Sequence, residues 1–107
     1  MSAQPKMKQL EARMDAAQRK AVAAHKAWKR AGEDYEVTRR VREQIVETMA
    51  SPISMTDRAR LRAAQRTKDR AAENCREAND RLSLANAAVS AAATALERAL
   101  RLQTLNG

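Results

Sequence analysis

Two stripes of apolar or small residues, one in each half of this chain, constrain its fold more than any other feature of the sequence. In the first half the stripe reads Met7, Leu10, Met14, Ala17, Ala21, Ala24, Trp28, Ala31 and Tyr35. In the second it reads Ala71, Cys75, Ala78, Leu82, Ala85, Val89, Ala92, Leu96 and Ala99. Steps alternating between three and four residues make the heptad seam of a coiled coil, with Met7 at a and Leu10 at d. Between the stripes lies "MASPISM", residues 49 to 55, which holds one of only two prolines in the chain.

If the chain doubles back at Ile53, residue i meets residue 106 − i, and every member of the first stripe then finds a member of the second. Most of the resulting layers set a large side chain against a small one, which is how facing helices fill space without voids or clashes. Trp28 over Ala78 and Tyr35 over Ala71 are the clearest cases, with both aromatics assigned to the core, and Ala31 meets Cys75. The turn chemistry agrees. Ser51 and Ser54 are good N-caps, Pro52 suits a first helical position, and Ser54 with Asp57 has capping-box spacing. Pro5 can open the first helix, and Asn106-Gly107 can close the second.

The sequence therefore predicts an all-α fold. It is an antiparallel two-helix coiled-coil hairpin and a single domain over 1–107, with a helix at 5–50, a turn at 51–54 and a helix at 55–105. At 107 residues the chain is too short for two cores. Each arm is roughly 70 Å long at ~1.5 Å per residue. Its apolar residues are mostly alanine, with one Trp, one Tyr and no Phe, so a hairpin alone is expected to be marginally stable. Gly32, at a flanking e position inside the first arm, should cost roughly 1 kcal/mol relative to Ala and permits a slight bend or the close approach of a partner.

Beside its seam the second helix carries another stripe on its c and g positions: Leu84, Ala88, Ala91, Ala95, Leu102 and Leu105, interrupted by Arg98. A helix apolar on two sides is normally covered on two sides. This stripe is expected to be a self-association face that pairs two hairpins into a four-helix bundle, a homodimer, or alternatively the contact for a different protein.

Charge is unevenly placed. Lys and Arg number 21 against 13 Asp and Glu, a formal +8, which favours acidic partners without choosing among them. From Arg39 to Arg70 there are nine basic and four acidic residues, a net +5 around the turn. Arg39, Arg40, Arg42, Arg58, Arg62, Arg66 and Arg70 form the candidate partner-binding tip. The last four recur at i, i+4 and so line one face, where like charges repel until an acidic partner relieves them. At this end Thr38, Arg42 and Lys68 occupy seam positions, until Ile45 and Leu61 restore an apolar layer, so the tip is expected to be looser than the body.

Catalysis is not expected. The only His and the only Cys, His25 and Cys75, do not converge: the first is read as a solvated flank and the second as a buried structural residue. No catalytic residue, metal site, cofactor or small-molecule substrate is assigned, since no ligand spacing or glycine-rich phosphate loop occurs. The single cysteine suits a reducing compartment, "MSAQPKMKQLEARMD" lacks the apolar core of a secretory signal, and the uncharged run at 82–96 is too short and polar for a membrane span. A cytoplasmic chain with no membrane span is expected.

A basic, alanine-rich helical hairpin of this kind resembles the stalks of bacterial type III and flagellar export ATPases. The likeness is one of architecture, covers the general outline of the chain, and carries over no residue. It implies an ATPase ring and export-gate components as partners. Two functions follow: a non-enzymatic scaffold or adaptor whose tip engages an acidic protein surface, or an architectural nucleic-acid binder that uses the same arginines without sequence preference.

Overall fold

The computed structural model describes the backbone of residues 3–49 and 51–106, with side chains from residue 6 onward. Residue 50 and Gly107, assigned from sequence to helix ends, lie outside them. The described residues are helical apart from the turn and contain no strand: α1 spans Ala3–Thr48 and α2 spans Met55–Asn106. Pro5 therefore lies within the first turns of α1 instead of opening it.

The turn at 49–54 is built from local hydrogen bonds. At its near side the Thr48 hydroxyl donates to the carbonyls of Gln44 and Ile45, at 2.9 and 3.2 Å, occupying acceptors that the end of α1 leaves without intrahelical partners. At its far side Ser54 is the N-cap of α2. Its Oγ accepts from the Asp57 amide at 3.0 Å, and its carbonyl accepts from the Arg58 amide at 3.0 Å. Asp57 adds a negative charge to the positive end of the helix dipole. Pro52 precedes that cap, in the turn itself, and does not hold the first helical position that its residue type suits.

The chain divides into two compact units, one of Met1–Lys26 with Asp80–Gly107 and one of Ala27–Asn79. Within Ala27–Asn79 the two helical segments run antiparallel on either side of the turn. The Cys75 thiol donates to the Ala31 carbonyl at 3.2 Å, joining the two residues that the 106 − i rule pairs. A small groove lined by Val37, Thr38 and Val41 from α1 and Ala64 and Thr67 from α2 keeps the same register to within a residue. Ala71 and Ala78 are the buried residues of this unit.

In the other unit the buried residues are Ala17 and Ala92, again seam members. Ala21, Val22 and His25 lie across a groove from Leu82 and Asn86, which is antiparallel pairing in nearly the same register. Along both helices the seam positions other than Trp28 are buried or half-buried and nearly all others are exposed. The core of the described residues is thus entirely alanine, and no large side chain is fully buried.

Trp28 departs from the expected core. It holds its seam position but remains 41% exposed, while the facing Ala78 is buried. A seam between only two helices is open along both edges, and an indole is too large to be covered by one alanine layer. Tyr35 fares better and is half-buried.

Candidate interaction surfaces

The arginines around the turn do not form a uniform patch. Arg39 is half-buried and held by carboxylates of its own helix: Nε and a terminal nitrogen bond Oε2 of Glu36 at 3.2 and 3.0 Å, and the other terminal nitrogen bonds Glu43. Those bonds hold the Glu36 carboxyl below its ordinary value and raise the Arg39 guanidinium further. Arg60 lies 3.7 Å from Asp57. By contrast, Arg58, Arg62, Arg66 and Arg70 are all exposed, and none pairs with a carboxylate among the described residues. They stand one turn apart on α2, so each faces another positive charge about 6 Å along the axis. Arg40 is exposed as well.

Arg42 behaves differently again. Placed in the seam, it is half-buried, and its Nε is buried with no hydrogen-bond partner. Thr38 and Lys68, the other polar seam residues, are likewise half-buried, and Thr38 turns its hydroxyl onto the Tyr35 carbonyl at 2.7 Å. The lapse in the seam is therefore real in the packing. Three side chains that prefer water occupy positions where apolar ones would add burial.

The second surface lies on α2 within the unit that contains Asp80–Gly107. Leu84 is 72% exposed and Leu105 81% exposed; Leu102, Ala88 and Ala91 are exposed and Ala95 is half-buried. Leu100, also exposed, widens the apolar surface near the end of the helix. A groove between Glu97, Leu100, Arg101, Thr104 and Leu105 runs along its edge, where Arg101 is paired with Glu97 at 2.7 Å.

A third feature was not singled out from sequence as a site. An open groove within Ala27–Asn79 is lined by the apolar or small residues Trp28, Gly32, Val37 and Cys75 and by the charged residues Lys29, Glu33, Glu36 and Arg40. The signal available in sequence was Gly32, read there as a possible close-approach point.

No group of three or more His, Cys, Asp or Glu side chains among the described residues is placed to hold a metal ion. His25 borders a shallow groove with Lys26 and Leu82, and Cys75 is half-buried against the Ala31 carbonyl. No described helix is long and apolar enough to cross a membrane.

In each unit the described helical segments pair antiparallel around buried alanines. No protein-family model matches the chain, and no curated protein or solved structure is similar to it.

Proposed function

We propose that this chain is a non-enzymatic scaffold or adaptor that self-associates through the α2 stripe and uses the arginine column of the turn region to hold an acidic protein surface. The observation that carries the second half is the arrangement of Arg58, Arg62, Arg66 and Arg70: four exposed, mutually repelling cations with no carboxylate partner among the described residues. Elsewhere Arg39, Arg76 and Arg101 are compensated by a carboxylate three or four residues away. An acidic partner relieves the repulsion and gains charge-assisted hydrogen bonds. The self-association half rests on exposed leucines flanking exposed alanines, a face that a second α2 can cover to give a four-helix bundle. The architectural likeness to export-ATPase stalks makes an ATPase ring or export-gate component the partner of choice, with a cytoplasmic setting.

The experiment is affinity capture from the native host with wild type and with Arg58→Glu, Arg62→Glu and Arg66→Glu combined, alongside titration of duplex and single-stranded DNA. The adaptor reading expects a protein partner that the charge-reversed variant loses. Recovery of the same partner by that variant refutes the tip assignment. Tight DNA binding that falls steeply with salt gives the column to nucleic acid instead, since phosphate contacts lose affinity as counterions are restored.

A further inference from the structure

Gly32 is an unusual residue for the place it occupies. It lies deep inside α1, has no positive φ, and a Cβ built on it would meet nothing within 4 Å. Neither backbone conformation nor packing within the chain calls for glycine, yet glycine is the weakest helix former after proline. Its neighbours in the groove are Trp28, 41% exposed, and Val37, 59% exposed. Bare helix backbone at Gly32, one turn from the exposed Trp28, is a surface shaped for another helix to approach closely.

The charges lining the groove say which helix. About a point midway between Gly32 and Glu33, Lys29 and Glu36 lie equally far on either side, and so do Trp28 and Val37. A second copy of this helix, laid antiparallel across that point, sets Lys29 of each chain against Glu36 of the other, since the two residues are seven apart and share a face. The two glycines then fall beside the crossing, where small residues let backbones come together. Glu36 has room for the extra contact: both of its bonds from Arg39 fall on Oε2, leaving Oε1 to accept from a lysine. Lys29 has no ion pair among the described residues. Centring the copies midway between Lys29 and Arg40 instead would oppose Lys29 to Arg40 and Glu33 to Glu36, like against like, so charge disfavours that register, and the placement of both glycines beside the crossing favours the first.

We propose that the groove around Gly32 is a self-association site, in which α1 of a second copy packs antiparallel across Gly32 and covers Trp28. This contact is separate from the α2 stripe and does not depend on it.

Because Trp28 is the only tryptophan, its fluorescence reads the groove alone. Emission should be followed against protein concentration in the full chain carrying Ala88→Glu and Ala95→Glu, which disables the stripe, and in wild type, with sedimentation in parallel. The expected result is a shift to shorter wavelength with concentration in both. Gly32→Leu, which favours helix and fills the gap, should abolish the shift. Lys29→Glu should raise the midpoint concentration by roughly tenfold or more, and adding Glu36→Lys should restore it.

Emission that stays at its dilute value while wild type still sediments as a dimer overturns the groove contact and leaves the stripe standing. A shift that survives Gly32→Leu and Lys29→Glu unchanged also overturns it, because Trp28 is then covered by something other than this register. A shift retained in a chain whose stripe variants do not alter sedimentation supports the groove and removes the stripe.

Discussion

Arg42 is the residue that most clearly works against the stability of its own fold. A guanidinium nitrogen buried without a partner carries a desolvation penalty of about 1–3 kcal/mol, and the seam position would otherwise take an aliphatic side chain. Arg42→Leu should therefore stabilise the chain by about 1–2 kcal/mol in denaturant titration, at some loss of positive charge near the turn. Unchanged or lower stability would mean that the guanidinium finds compensation on folding. Glu36 gives a second test. Its carboxyl is held below its ordinary 4.5 chiefly by the Arg39 hydrogen bond, so its contribution to stability is present above that value and fades as pH falls through the lower folded one. Its NMR titration midpoint should lie below 4.5, and Arg39→Ala should move it back up; the group is exposed, so the energetic effect is small.

Among elements, the turn between α1 and α2 depends most on one side chain. Ser54→Ala removes the acceptor for the Asp57 amide and should cost about 1 kcal/mol in thermal or denaturant unfolding. Ser51→Ala, at a residue with no capping bond among the described residues, should cost much less.

The helices and their register were legible in sequence because an uninterrupted 3-4 alternation admits one periodicity, and complementary residue sizes admit one pairing; the Cys75–Ala31 bond is where that pairing is most directly visible. Ser54 was legible as a cap because its hydroxyl and the spacing to Asp57 are local. Pro52 was not placed correctly, because residue type alone does not say which of two nearby serines starts the helix. Trp28 was placed at the seam but not in its exposure: spacing gives the direction of a side chain, and coverage depends on how many helices surround it. Which arginines stay unpaired was equally invisible, since Arg39 and Arg58 look alike until the neighbouring rotamers are known.

For the molecule as a whole, a core made of alanine buries little apolar surface, and long helices must be stabilised by something beyond propensity. In the proposed function, self-association supplies it. The melting temperature should accordingly rise with protein concentration, as it does whenever the folded state alone is bound by a partner copy. Ala88→Glu with Ala95→Glu places charge in the α2 stripe and should lower both the sedimenting mass and that dependence. A mass that does not change removes the stripe from the account without touching the pairing of α1 with α2.

The pairing itself is tested most directly by Ala31→Cys, because Cys75 is the only native cysteine and its sulfur lies 3.2 Å from the Ala31 carbonyl. Mild oxidation followed by mass spectrometry of the separated species should yield an intramolecular disulfide between the introduced thiol and Cys75 in monomeric chains, and Ala24→Cys, two helical turns away, should not. Disulfides formed only between chains, or formed equally well from position 24, would contradict an antiparallel pairing of the two helices within one molecule.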